Sequence, residues 1–304
     1  MPDHPPASVS PSAMTGTVRA GLWMIGFTVT FAVLMAMVRH VSAEIHPIEV
    51  PFFRNFFALV VMLPWFARVG FEGLKTRRLG VHGFRALSGV IAMCALFTAV
   101  SLMPLAEVTA LTFTSPLFAT AGAALVLGET VRVRRWTATV VGFAGTLIIL
   151  RPGIETLTPA AMIALLAAAF IATSMLSIKS LSATESPNVI VLYMGLLMTP
   201  MSLVPALFVW TWPTLEAWAW LAAIGVVATL GQLAVARAFA AADASAVMPF
   251  DFFRLVFTAA LGFALFGESL DVWTWVGAGV ILASSVYIAR REARLGKETP
   301  APLQ

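Results

Sequence analysis

The chain has 304 residues, of which 60% are hydrophobic and 11% charged, and it carries a formal net charge of +4. A water-soluble domain carries roughly 25% charged residues, so too few are present here to cover a water-facing surface, and the chain reads as an integral membrane protein. The pI near 9.8 raises nucleic acid as a partner, but the placement of the bases, taken up below, assigns them to topology instead.

Residues 1–17, MPDHPPASVSPSAMTGT, are rich in Pro, Ser and Ala and lack the basic start of a secretory signal. They read as a disordered tail. Ten long apolar runs follow, at 18–38, 48–67, 84–103, 106–127, 136–150, 160–178, 189–210, 217–236, 244–266 and 272–289. A helix crossing a ~30 Å hydrocarbon core needs about 20 such residues; only the fifth run is clearly short. Spans of a β-barrel alternate apolar and polar residues, whereas these runs are continuous. The fold class is therefore all-α and integral to the membrane, with ten transmembrane helices. The connections are too short for a separate soluble domain, and residues 293–304 form a second polar tail. The lone cysteine, Cys94, permits no intrachain disulfide.

Ten spans put both termini on one side. That side collects Arg19, Arg68, Lys75, Arg77, Arg78, Arg85, Arg132, Arg134, Arg135, Lys179, Arg237, Arg290, Arg291, Arg294 and Lys297, against Arg39 and Arg151 on the other. Loops rich in Lys and Arg stay cytoplasmic, so both termini are predicted to be cytoplasmic, in the inner (plasma) membrane. The bases then serve as topology signals and lipid-headgroup contacts, and nucleic acid drops out as a partner.

The span ending in ALVLGETVRVRRW (124–136) resembles the one ending in FALFGESLDVWTW (263–275). Glu129 and Glu268 are 139 residues apart, as are Trp136 and Trp275. Arginines follow the first glutamate, whereas no base follows the second, and five helices separate them. Two units, 18–153 and 154–292, are thus expected to run in opposite directions, which is a signature of secondary transporters.

Polar residues inside spans are costly and mark pathways or partners. Arg54 and Asn55 interrupt PFFRNFF in the second span; Arg54 either snorkels to headgroups or faces a cavity. The fourth span has Thr109, Thr112 and Ser115 every three residues, followed by Pro116. Pro116 lacks an N–H for the carbonyl of Thr112 and breaks the helix ladder. Gln232 lies within the eighth span. Pro249 repeats the break in the ninth, where Asp251 and Arg254 sit three apart on one helix face, nearer the middle, and can pair. Thr258 and Gly262 extend that face. The pair either locks its helix or lines a substrate path. Glu107, Glu129 and Glu268 at span ends read as solvated or capping groups. Trp210, Trp212, Trp218, Trp220, Trp273 and Trp275 read as an interfacial belt.

The stretches PLAEVTALTFTSPLFATAGAALVLGE (104–129) and RRWTATVVGFAGTLIILRPG (134–153) are matched in the second half by ADASAVMPFDFFRLVFTAALGFALFGE (242–268) and WTWVGAGVILASSVYIARRE (273–292). On these the chain resembles the EamA-domain group of the drug/metabolite transporter superfamily. The resemblance implies two EamA repeats, ten helices, cytoplasmic termini and alternating-access transport, and does not fix the substrate; the two signs of charge at Arg54, Asp251 and Arg254 suit a small polar or zwitterionic organic metabolite, amino-acid-like or planar aromatic and vitamin-like. That group includes metabolite exporters as well as relatives that take up riboflavin or S-adenosylmethionine. The expected site draws on helices 2, 3, 4, 8 and 9, with Arg54, Asn55, Thr112, Ser115, Gln232, Asp251 and Arg254 binding substrate and Pro116 and Pro249 breaking helices beside it. In this reading the protein is a monomer or homodimer and needs no cofactor or metal. A passive channel suits rings of repeated polar groups, which two halves with unequal charges do not supply. An enzyme is weaker still: the histidines, His4, His40, His46 and His82, fall in the tail or loops, and neither a nucleophile–base pair nor a P-loop is present.

Overall fold

The computed structural model describes residues 11–69, 76–125, 133–150, 158–182, 184–185, 187–241, 250–251, 253–269 and 271–298. Glu129 and Pro249 lie outside them. The described chain is helical, with eleven segments: α1 (Pro11–Val41), α2 (Val50–Val69), α3 (Leu79–Leu102), α4 (Leu105–Thr112), α5 (Ser115–Leu125), α6 (Val133–Leu150), α7 (Pro159–Ser182), α8 (Pro187–Leu207), α9 (Leu215–Ala241), α10 (Phe253–Phe266) and α11 (Val272–Glu298). Each of the ten apolar runs corresponds to a helix, with α4 and α5 the two halves of the fourth. α1 starts at Pro11, inside the segment read as a tail, and α11 runs on to Glu298.

Continuous apolar sequence gives helices because hydrocarbon offers the backbone no hydrogen-bond partner, so each segment must satisfy its own. Val18–Val41, Leu79–Leu102 and Leu215–Val235 are long and apolar enough to cross a membrane. Val50–Pro64, Pro159–Ser174, Leu192–Leu207, Phe253–Phe266 and Val272–Ser284 are shorter apolar helices. The outer surface is apolar: Leu215, Phe208, Phe263 and Val272 are all well exposed. The interior is built on small side chains, such as Ala164, Ala167, Ala168 and Ala172 of α7. Small residues let helix backbones approach, which is how helices associate where lipid removes the hydrophobic drive. At Gly225 of α9, an added Cβ would lie 2.3 Å from Cβ of Phe57 on α2; at Gly145 of α6, it would lie 2.9 Å from the carbonyl oxygen of Gly277 on α11.

The helices pair in a regular way. α1 packs along α9, α3 along α7, α2 against α8 and more extensively against α9, α4 against α10 and α6 along α11. Numbered by span, these are 1 with 8, 3 with 6, 2 with 7 and 8, 4 with 9 and 5 with 10.

The break in the fourth span falls at Phe113 and Thr114, where single-turn bonds (Phe113 N–H to Ala110, Thr114 N–H to Leu111) replace the regular ladder. α5 then restarts at Ser115, with Pro116 in its first turn, where a missing N–H is harmless. The orphaned carbonyl of Thr112 accepts a bond from the Ser115 hydroxyl at 2.6 Å. The expected break is therefore present, and the protein seals it locally.

Candidate functional site

A cavity of about 390 Å³ lies inside the bundle, within the ~300–1,000 Å³ usual for small-molecule sites. Its walls come from α1, α2, α3, α7, α8 and α9, so spans 1, 2 and 3 face spans 6, 7 and 8. Phe27, Phe31 and Phe97 supply aromatic surface, and Met35, Met93, Met194 and Met198 supply adaptable surface. The polar lining is Thr30, Arg54, Arg85, Ser174 and Gln232. Among the described residues, no Asp or Glu lines it.

Arg54 faces this cavity rather than the headgroups and is 7% exposed. Its Nη1 donates to Asn55 Oδ1 at 2.8 Å. Asn55 donates in turn to Ser202 Oγ on α8 at 3.4 Å, and Ser202 donates to the Met198 carbonyl at 2.6 Å. Asn55 thus holds Arg54 from behind and ties α2 to α8.

Arg85 corrects the sequence reading, which counted it among the cytoplasmic loop bases. α3 begins at Leu79, not near residue 84, which puts Arg85 almost two turns inside the helix. It is 6% exposed and lines the cavity. Its guanidinium donates to the Ile190 carbonyl at 3.1 Å and to Met194 Sδ at 3.4 Å, while Nε has no partner. The charge asymmetry between the two sides survives its removal. The available signal was spacing: Arg78, His82, Arg85 and Gly89 recur at three and four residues, marking one polar and small face of α3. His82 is likewise no loop residue: it is buried in α3 and stacked 4.5 Å from the Tyr193 ring.

The other expected site residues divide. Gln232 lines the cavity. Thr112 and Ser115 are buried but do not line it, and their hydroxyls donate to the carbonyls of Thr109 and Thr112 in the same span. Asp251 and Arg254 form the expected ion pair at 3.3 Å, though not mid-helix. Phe250 and Asp251 lie in a 3₁₀ turn and α10 begins at Phe253, so Asp251 stands where a helix N-terminus favours an acid. Arg254 lies over the rings of Phe31 and Phe113, its Cζ 4.6 Å from each centroid. Phe31 separates it from the cavity.

Two sets of contacts lie at the end of the bundle opposite the termini. Glu268 forms an ion pair with Arg39 and accepts the N–H of Leu105 at 2.9 Å. A carboxylate just past the end of α10 thereby caps α4. This bears out the expected capping role, although the group is buried rather than solvated. Gly267, at φ 67, ends α10 in the left-handed turn that glycine permits and brings Glu268 back over Gly262. Beside this cluster Phe53 packs against Trp210 and Trp218 at 5.3 and 5.1 Å. Those two tryptophans are therefore packing residues, whereas Trp212, Trp273 and Trp275 are exposed, as a belt requires.

The EamA-like transporter family profile matches this chain twice, over residues 18–151 and 158–290. The chain belongs to that family. It is accordingly a membrane transporter and not an enzyme. It is 35% identical over 282 residues to a riboflavin transporter of Vibrio cholerae serotype O1, covering 91% of this chain and 95% of that protein. It is 31% identical over 274 residues to an S-adenosylmethionine uptake transporter of Rickettsia bellii, covering 90% and 94%. A solved crystal structure, 18% identical, aligns with a TM-score of 0.59 over 93% of this chain and 99% of its own; at that identity the likeness speaks to fold alone.

Proposed function

We propose that the protein is a secondary active transporter that carries a small polar metabolite across the inner membrane by alternating access. Its ten spans form two inverted five-helix halves, and both termini are cytoplasmic. The observation that carries this reading is the composition of the cavity wall: spans 1, 2 and 3 on one side, spans 6, 7 and 8 on the other. Corresponding helices of two halves enclose one central space, which is where substrate sits in inverted-repeat transporters. Exchanging each span with the one five places on also maps the pairings 1–8 and 3–6 onto each other, and returns 2–7, 4–9 and 5–10 unchanged. The two successive family matches divide the chain at the same point.

In this mechanism the halves rock about the central cavity. The Arg39–Glu268–Leu105 contacts hold the far end shut and must part for the site to open there. The relatives' names supply two candidate solutes, riboflavin and S-adenosylmethionine. Purified protein in sealed liposomes should accumulate or exchange its solute with saturation, and the recovered solute should be chemically unchanged. Flux that rises linearly without saturation would make it a channel. A reporter active only in the cytoplasm, fused after Gln304, should be active; activity from a periplasm-only reporter would overturn the orientation.

A further inference from the structure

Four of the arginines in the described helices make contacts inside the bundle that bear on the cavity and its surroundings: Arg39, Arg54, Arg85 and Arg254. Two have acids. Arg39 pairs with Glu268, and Arg254 with Asp251. The other two are those in the cavity, and among the described residues neither has an acid partner. Arg54 bonds a neutral amide, Asn55. Arg85 bonds a carbonyl and a thioether and leaves Nε unbonded in a buried position. Of these four, the two that face the cavity are the two without an acid; among the described residues Arg78, bonded to Ser180 and Thr184, and Arg237, over the Trp23 ring, also lack one but do not line the cavity. A buried charge without a counter-charge is costly, and structure alone gives no return for that cost.

We propose that Arg54 and Arg85 are specificity determinants that admit a ligand with an electron-rich acceptor edge and reject a net cation. This inference rests on the transport reading and narrows it. A guanidinium presents its donors as a planar fork, which matches two acceptors side by side: the carbonyls and ring nitrogens of a planar heterocycle, a carboxylate or a phosphate. The same two charges repel an approaching cation, and no carboxylate in the described wall offsets them, so rejection is built into the site. Phe27, Phe31 and Phe97 provide flat surface for the ring that carries such an edge. By this argument riboflavin fits the cavity, and S-adenosylmethionine, whose sulfonium and ammonium give it net positive charge, does not.

The test uses full-length protein with three probes: riboflavin, which has the acceptor edge alone; flavin mononucleotide, which adds a phosphate; and S-adenosylmethionine. Binding is read by quenching of flavin fluorescence and transport by counterflow in liposomes. Wild type should bind at least one flavin, and a hundredfold excess of S-adenosylmethionine should not displace it. Arg54→Gln and Arg85→Gln should each weaken flavin binding at least tenfold. Equal losses for both flavins place the guanidiniums on the ring edge, and a greater loss for the mononucleotide places them on the phosphate. Because neither arginine has an acid to orphan, both variants should fold as well as wild type. Arg85→Lys, which keeps the charge but not the fork, gives a second route to the binding measurement should Arg85→Gln fold poorly. Displacement of flavin by S-adenosylmethionine, absence of binding by either flavin, or unchanged binding in the Gln variants would each overturn the proposal. Saturable uptake of S-adenosylmethionine would do so while leaving the transport reading intact. Arginine-dependent flavin binding without any flux would do the reverse.

Discussion

Replacing Gly262 with alanine tests whether the carboxylate of Glu268 holds the far end of the bundle shut. An ideal Cβ on Gly262 lies 2.5 Å from Glu268 Oε2 and 3.3 Å from its Cδ. The oxygen must withdraw by about 0.9 Å to reach ordinary carbon–oxygen contact. That oxygen accepts the Leu105 N–H at 2.9 Å, and stretching the bond by so much takes it past the ~3.5 Å at which a hydrogen bond ceases to count. Losing a charge-assisted bond costs about 1.5–3 kcal/mol, against a gain of about 1 kcal/mol from replacing glycine with alanine in a helix. Gly262→Ala should therefore destabilise the protein by roughly 0.5–2 kcal/mol. In a Glu268→Ala background the clash and the bond are both absent, and the same substitution should stabilise by up to about 1 kcal/mol. The sign reverses, which separates this account from general overpacking. Thermal unfolding of the four proteins in one detergent, followed by tryptophan emission, measures the cycle. Equal destabilisation by Gly262→Ala in both backgrounds would refute the reasoning.

Gly225→Ala places a methyl group 2.3 Å from Phe57 Cβ and 3.1 Å from the Phe57 backbone carbon; because backbone blocks it, a loss of about 1–3 kcal/mol is expected, seen as lower monodisperse yield on size exclusion. Ser115→Ala strips the Thr112 carbonyl of its donor and should cost about 1–3 kcal/mol, with Ser115→Thr restoring most of it; an unchanged unfolding midpoint in Ser115→Ala would show that water or a neighbour replaces the hydroxyl. Asp251→Asn leaves Arg254 without its acid and should lower folded yield, as should Arg254→Gln, while the double variant should recover it because no lone buried charge remains. If the recovered double variant transports at wild-type rate, the pair is structural; if it folds and stays inactive, the pair acts in transport.

The helices were legible in the sequence because hydrocarbon imposes one rule on every span, and hydropathy reports it directly. The break in the fourth span was legible for a similarly local reason: Pro116 has no N–H, wherever its helix sits. Arg54 stood out because PFFRNFF surrounds a charge with phenylalanine. Arg85 was hidden by the same measure that exposed Arg54. Near the terminus-side end of α3 the sequence is already basic, so hydropathy drew the boundary at 84, left Arg85 at the very edge of the span and counted it with the loop bases. The face containing Asp251, Arg254, Thr258 and Gly262 was legible as a stripe, but not what each member meets. Arg254 meets aromatic rings from α1 and the α4–α5 break. Thr258 bonds back to the carbonyls of Arg254 and Leu255. Gly262 makes room for a carboxylate that caps a helix 163 residues away in sequence. Periodicity assigns residues to a face, but only the packing of distant spans says what that face touches.

That difference matters most for charge. Sequence alone puts Arg39 and Arg85 among the loop bases and Arg54 and Arg254 inside spans. Packing divides them by partner. Arg39 and Arg254 are balanced, one paired with Glu268 at the end opposite the termini and one paired with Asp251 and seated between Phe31 and Phe113. Among the described residues Arg54 and Arg85 are not balanced by an acid, and they share a cavity lined otherwise by aromatic, methionine, aliphatic and a few neutral polar side chains. In a medium that penalises each lone charge by about 2.5–3.5 kcal/mol on insertion scales, keeping two of them in one unpaired space is a persistent cost to stability. Proteins keep such costs where activity requires them. On the proposal made above, the unpaired charges, rather than the paired ones that first draw the eye in the sequence, mark where the ligand's own chemistry would complete the site.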